Sequence, residues 1–377
     1  MHTCIFFCTF AADLKDGYML HALVISLPMV VCLFWVVFFL IRLFLHDGEP
    51  RVIRSLICFF GVATVLYFDH WLYFSGVVCL AGEWSYGVAN LCVYPLYYMY
   101  LRALTRSPKS IEVPLLFIPA LAAVFLFPIG RFSGLISDKT MFFIIRICFT
   151  VLVVWVLVRG YKLLLGTIRR MDDTYSDDRS RLLRPTYILL LIFGITAVVS
   201  MTLNFVGREF FAQGAPVALP AVVMAVLLFG VGFVAAHTVV PQETVAEEPL
   251  ADNRSSADDS RALIRKIDDV MREQTLYRNS QLNIHDLARA VNSNRTYVSA
   301  AINQQYNVNF SIYVNRFRVE EAKRILADNT YTHDKEAIAD AIALSGFQTE
   351  QTFYRVFKEM TGTTPLLYRR STRPLIV

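Results

Sequence analysis

Two short stretches near the C-terminus carry side chains of the kind that read base edges. Arg295, Thr296, Ser299, Ala300 and Asn303 recur at helical spacing, and so do Glu350, Gln351, Arg355 and Lys358, with Thr349 and Tyr354 beside them. Arg and Gln can engage guanine and adenine through paired hydrogen bonds, and Lys suits the phosphate backbone. Such side chains need a helix to align them, and the apolar residues between them supply it. Val298, Ala301 and Ile302 interleave with the first set, and Phe353, Val356, Phe357 and Met360 with the second. Each stretch predicts an amphipathic helix, apolar face inward and polar face outward.

The flanking sequence supplies what must hold those helices. Residues 284–291 place Ile284, Leu287, Ala288 and Val291 on one face, Asn292-Ser293-Asn294 breaks the helix with turn-tolerant residues, and a helix restarts over 295–304. This is a helix-turn-helix, whose second helix enters the major groove in proteins that use the motif. A second copy has a helix ending at Leu344, a turn on Gly346 and a helix over 349–360. Between them residues 311–328, with apolar Val314, Phe317, Ala322, Ile325 and Leu326, predict a long helix joining the two rigidly. Upstream, Leu263, Ile264, Ile267, Val270 and Met271 mark an amphipathic opening helix over 261–272, too short in repeat for a coiled coil.

The ordered set Asp286-Leu287-Ala288, Tyr313, Arg316 to Arg318, Ala322-Lys323, Gly346-Phe347, Phe353, Arg355, Phe357-Lys358, Gly362, Pro365 and Tyr368-Arg369 closely resembles the C-terminal DNA-binding domain of AraC/XylS-type transcription regulators. The resemblance spans residues 263–370. It implies a domain of seven helices whose two recognition helices enter successive major grooves on one face of double-stranded DNA. Carried onto this chain, the contacts implied are Arg295, Thr296, Ser299, Ala300, Asn303, Glu350, Gln351 and Arg355. From Gln274 onward the chain has 13 basic and 9 acidic residues, so phosphate neutralisation alone predicts modest affinity. Pairing as a homodimer, or concentration on a shared membrane, would compensate.

The rest of the chain is of another kind. Of 377 residues, 55% are hydrophobic, more than an ordinary soluble protein carries, and the excess lies before Val240. Seven stretches, 22–45, 52–74, 77–101, 113–130, 141–165, 185–206 and 215–240, approach the roughly 20 apolar residues that cross a lipid bilayer as a helix. Cytoplasmic loops collect Lys and Arg. Arg42, Arg51 and Arg54 follow the first stretch, Arg102, Arg106 and Lys109 the third, and Arg169, Arg170, Arg179, Arg181 and Arg184 the fifth. The expected organisation is all-α: an external tail over 1–21, a seven-span bundle over 22–240, an acidic flexible linker over 241–260 and a cytoplasmic DNA-binding domain over 261–377. This places the chain in the cytoplasmic membrane with its N-terminus outside.

Charged and polar groups inside spans are costly and mark function by default. Asp69, His70, Glu83, Arg146 and Asn204 all fall toward the expected outer ends, with Trp71, Trp84 and Tyr86 nearby. They predict an outward-opening pocket for a small polar ligand. The plainer alternative seats them in the headgroup layer. Cys4, Cys8, Cys32, Cys58, Cys79, Cys92 and Cys148 show no metal-ligand spacing and read as small buried apolar residues. No cofactor, metal or enzymatic activity is expected, because the spans hold neither His-Glu-x-x-His nor Gly-x-Ser-x-Gly. A transporter or channel with a regulatory C-terminal domain is the alternative function, weakened by inner halves that offer only His237 as a polar group and by the lack of an inverted repeat. The charged loop 169–184 and the exit of the last span are the expected coupling elements.

Overall fold

The structure is a computed structural model that describes residues 17–75, 80–105, 112–134, 137–177, 183–206, 217–238 and 257–372. The expected external tail up to residue 16, the linker residues 241–256, Arg106, Lys109, Arg179 and Arg181 lie outside the described residues. Among those described the regular structure is helical, with one isolated antiparallel bridge between Tyr175 and Asn283. The chain divides into two compact units, Met1–Leu165 with Leu182–Pro241, and Gly166–Arg181 with Gln242–Val377.

The first unit contains α1 (Gly17–Phe44), α2 (Pro50–Phe74), α3 (Leu80–Leu104), a short α4 (Glu112–Leu115), α5 (Ile118–Ser133), most of α6 (Asp138–Thr174), α7 (Arg184–Val206) and α8 (Ala218–His237). The fourth expected span is not one helix: the chain turns at Leu116 and Phe117 before α5 begins. Pro119 accounts for the break, since it has no N–H for the Leu115 carbonyl and its ring crowds that oxygen. Among the described residues five stretches are long and apolar enough to cross a membrane: His21–Phe44, Pro50–Phe74, Val113–Gly130, Thr140–Thr174 and Ala218–His237. Helix α7 adds the apolar stretch Arg184–Ile195.

Helix α3 is less apolar for a packing reason. Its Tyr94, Tyr97, Tyr98 and Tyr100 are all buried inside the unit; the first three meet Phe59 of α2, Phe149 and Trp155 of α6 and Phe193 of α7 in tilted or edge-on pairs, and Tyr100 meets Tyr97. Large rings with a polar tip fill such a core as well as aliphatic chains do. Elsewhere small residues admit large ones. A Cβ on Gly232 of α8 would lie 2.2 Å from the Trp35 ring of α1, so that crossing demands glycine. The outer face is apolar, with Leu33, Phe34, Val37, Ile41, Val151, Val154, Val158, Leu219, Val226 and Phe233 exposed. Cys32 is buried and Cys92 and Cys148 half-buried, but Cys58 departs from the expectation and is exposed on that face, one heptad before Val65; all four are free thiols. Cys4, Cys8 and Cys79 lie outside the described residues.

The second unit contains α9 (Ala257–Glu273), a 3-10 turn at Leu276–Arg278, α10 (Ile284–Ala290), α11 (Arg295–Tyr306), α12 (Phe310–Leu326), α13 (Asp334–Ser345), α14 (Glu350–Thr361) and α15 (Pro365–Thr372). Helix α9 starts before the expected linker ends, because Asp258 and Asp259 favour the positive end of a helix dipole. Its stripe of Ile264, Ile267, Val270 and Met271 joins Ile284, Leu287, Val298 and Ile302 in one core. A second core gathers Phe347, Phe353, Val356 and Phe357. Helix α12 serves both, giving Phe310, Tyr313 and Val314 to the first and Val319, Ala322, Ile325 and Leu326 to the second.

Arg318 sits where the two cores meet and is only 1% exposed. Its Nε donates to the Tyr277 carbonyl at 2.8 Å and its Nη2 to the Asn279 carbonyl at 2.8 Å. Its Nη1 and Nη2 also donate to the carbonyl and Oγ of Ser176, at 3.1 and 2.9 Å, and Cζ lies 5.9 Å from the centre of the Phe347 ring. Burial pushes the Arg318 pKa down to about 10, against an opposing pull from Asp177, so the group remains a cation at neutral pH. Arg369 closes the far end in the same way, donating to Asp334 at 3.0 Å and to the carbonyls of Leu326 and Tyr331 at 3.0 and 2.8 Å.

Gly346, at φ +87°, ends α13 against the 3-10 turn; a Cβ there would lie 2.4 Å from the Tyr277 oxygen and 2.7 Å from the Arg278 Cα. Gly362 also has positive φ, +78°, but open space around it. Gly346→Ala should therefore destabilise the second unit by about 2 kcal/mol or more, from strain plus a backbone clash, and Gly362→Ala by only about 1 kcal/mol from strain alone. Amide exchange across α12 to α14 in the full chain measures both; equal losses would refute the clash.

Candidate nucleic-acid interface

Capping defines where each helix-turn-helix begins and turns. The Asn283 side chain accepts from the amides of His285 and Asp286 at 2.9 and 3.1 Å, while Asp286 accepts from the Asn283 amide at 3.2 Å, a reciprocal box that starts α10. The turn passes through Asn292 at φ +50°, a conformation Asn tolerates, and the Ser293 amide returns to the Ala288 carbonyl at 2.9 Å. Asn294 then caps α11 by accepting from the Tyr297 amide at 2.9 Å. In the second motif Gly346 turns the chain, buried Phe347 packs edge-on to Phe353 at 5.3 Å, and Thr349 caps α14 by accepting from the Thr352 amide at 3.2 Å.

The two recognition faces follow from this geometry. On α11, Val298, Ala301 and Ile302 are buried, Ala300 and Asn303 are exposed, and Arg295, Thr296 and Ser299 are half-buried. On α14, Phe353, Val356 and Phe357 are buried and Glu350, Gln351 and Lys358 exposed. Three residues differ from a simple outward face. Thr349 is engaged as the cap. Tyr354 is half-buried against the second core, since its ring meets Phe353 edge-on at 5.7 Å. Arg355 is half-buried and paired with Glu359 one turn on.

The charged segment 169–184, expected as a coupling loop, is helical through Thr174 at the end of α6, and its residues up to Asp177 pack in the second unit, which its sequence does not show. Thr174, Tyr175, Ser176 and Asp177 are buried in the second unit, and the Ser176 amide and Oγ donate to the Leu282 carbonyl at 3.1 and 2.7 Å. Asp173 lies within electrostatic reach of Arg295, the first residue of α11, and of Asp172. Periodicity cannot reveal a contact between segments more than a hundred residues apart.

The polar groups of the first unit fall in part together. Asp69, buried near the end of α2, accepts from Ser85 Oγ of α3 at 2.6 Å. The half-buried His70 ring meets Tyr86 edge-on at 5.0 Å and Phe74 face-on at 5.9 Å. Arg146 is half-buried on α6, next to Ile145, which packs against Gly87 of α3. The side chains of Glu83 and Asn204 lie outside the described ones.

Residues 287–371 match the family described as "Helix-turn-helix domain", so the chain carries such a domain at its C-terminal end. It is 30% identical over 96 residues to the Bacillus subtilis protein called uncharacterized HTH-type transcriptional regulator YtdP, covering 26% of this chain and 12% of that protein. It is 35% identical over 88 residues to uncharacterized HTH-type transcriptional regulator YisR of the same organism, 23% of this chain and 29% of that one. A third relative, uncharacterized HTH-type transcriptional regulator SAS0078 of Staphylococcus aureus, is 32% identical over 111 residues, 29% of this chain and 14% of its own. The chain thus spans under a third of each of these relatives, and no solved structure is significantly similar to it.

Because Asn294 and Thr349 set the first turns of the two recognition helices, Asn294→Ala and Thr349→Ala should each cost about 1 kcal/mol of local helix stability. Faster exchange of the Tyr297 and Thr352 amides, respectively, is the expected signature; unchanged exchange would show that the caps carry little.

Proposed function

We propose that this chain is a membrane-tethered, sequence-specific DNA-binding transcription regulator of AraC/XylS type. The observation that carries the reading is the pair of capped helix-turn-helix motifs mounted on one shared helix, α12. Its similarity to proteins named as HTH-type transcriptional regulators supports the same view. Arg295, Thr296, Ser299, Ala300 and Asn303 serve the first half-site, and Glu350, Gln351 and Arg355 the second, with Lys358 on phosphate. Each bidentate base contact supplies discrimination of about 1–3 kcal/mol, and phosphate contacts supply affinity without sequence information.

Membrane attachment is supported by the five long apolar stretches and by the apolar outer face of the first unit. In the second unit's helices, by contrast, the large apolar residues left exposed are Ile312, Leu344 and Leu367. We assign seven passes, counting the tyrosine-lined α3, whose hydroxyls are covered by neighbours, and α7. The basic clusters at Arg42, Arg51 and Arg54, at Arg102 and at Arg169, Arg170 and Arg184 orient the C-terminal domain to the cytoplasm. Asp69 and His70, with Glu83, Arg146 and Asn204, form the proposed outward site for a small polar ligand. Its occupancy would bias the packing of α2 and α3, where Asp69 bonds Ser85. The ligand, the homodimeric state and the direction of regulation belong to this proposal.

The test uses the full chain in detergent micelles and labelled genomic fragments over a salt series. Gln351→Ala and Arg355→Ala should each lose about 1–3 kcal/mol of discrimination between the selected site and unrelated DNA. Lys358→Ala should weaken all fragments alike and reduce the salt slope by about one. Binding indifferent to sequence, or insensitive to all three substitutions, would refute the reading.

A further inference from the structure

The residues at the end of α6 are buried in a way a connecting loop is not. Loops ordinarily run over the surface with their backbone in water, yet Thr174, Tyr175, Ser176 and Asp177 are 3%, 6%, 1% and 9% exposed. Every polar atom of Ser176 is bonded into the DNA-binding unit: N–H and Oγ donate to Leu282, and the carbonyl and Oγ accept from Arg318. Tyr175 bridges Asn283, the residue that caps the first helix-turn-helix. One residue upstream of this docked stretch, Asp173 lies within electrostatic reach of Arg295, the first residue of α11.

We infer that residues 172–177 form an intramolecular clamp that occupies the first helix-turn-helix in the resting state and must be released for that half to engage DNA. The inference rests on the DNA-binding reading. The start of a recognition helix is where bases and the adjoining phosphates are met. The docked stretch adjoins the first helix-turn-helix through Leu282 and Asn283, and a carboxylate within electrostatic reach of Arg295 opposes the approach of a phosphate, a like-charge juxtaposition. Two N–H groups of Arg318 hold the clamp shut through Ser176, and DNA competes for Arg295. The clamp therefore has two states, and anything that moves it shifts the balance. It continues α6, which is unbroken from Asp138 to Thr174, so a movement of that helix along its axis reaches the clamp directly.

Binding of a fluorescein-labelled fragment from beside the gene is measured with the full chain in detergent micelles. Asp172→Asn with Asp173→Asn should tighten binding about tenfold, whereas the exposed control pair Glu320→Gln with Glu336→Gln should change it far less. Ser176→Ala loosens the clamp without altering charge and should tighten binding by about fivefold or more, since it removes both hydrogen bonds of Oγ and one net hydrogen bond is worth about that factor. Amide exchange at Ser176 should rise when wild-type chain is saturated with the fragment. No gain from Ser176→Ala, or a Ser176 amide still protected in the complex, overturns the clamp and leaves the DNA-binding reading standing. Binding by none of the chains overturns that reading and the clamp with it.

Discussion

One buried cation organises the second unit. Arg318 lies in a junction from which water is excluded, and a charge so placed is tolerable only if its donors are met. The oxygens that meet them belong to the 3-10 turn after α9 and to the end of α6, while Phe347 from the second motif covers the guanidinium face. Each of those segments is irregular and would be loosely held on its own. The guanidinium gives them a common reference point, and Gly346 approaches the same Tyr277 oxygen from the other side.

Much of this was legible from residue order. Helical periodicity located α10 to α14, and the turn residues Asn292 and Gly346 fall at positive φ where the sequence put the breaks. The pairing of Arg355 with Glu359 was readable at one-turn spacing, though the outward pattern alone hides it. Tyr354 was misjudged because a half-apolar ring can lie along a core while its hydroxyl stays wet. The charge of 169–184 marks it as an expected coupling segment, but nothing local shows where its residues dock. Ser176 is an unremarkable residue in a charged loop until Arg318, 142 positions away, folds against it. The broken fourth span was foreshadowed by Pro119, whereas the burial of the α3 tyrosines depends on neighbours that composition does not specify.

The first unit solves a different problem. Its interior is held by shape: the Trp35 ring fits over Gly232, and the α3 tyrosines interlock with rings from three other helices. In the bilayer we propose for it, burial alone would give helices little reason to associate, and close fit and buried polar contacts such as Ser85 to Asp69 would do more of the work.

The double membership of α12 bears on how the domain fails. Because each core borrows a different half of the same helix, neither motif has a complete interior without the other, and loss of packing in one propagates to its neighbour. The two DNA-reading halves thus melt as one cooperative unit. Inactivating lesions would then scatter over both cores and the 3-10 turn instead of clustering on the exposed side chains proposed to read bases, so a genetic map of this domain would outline its interior before its surface.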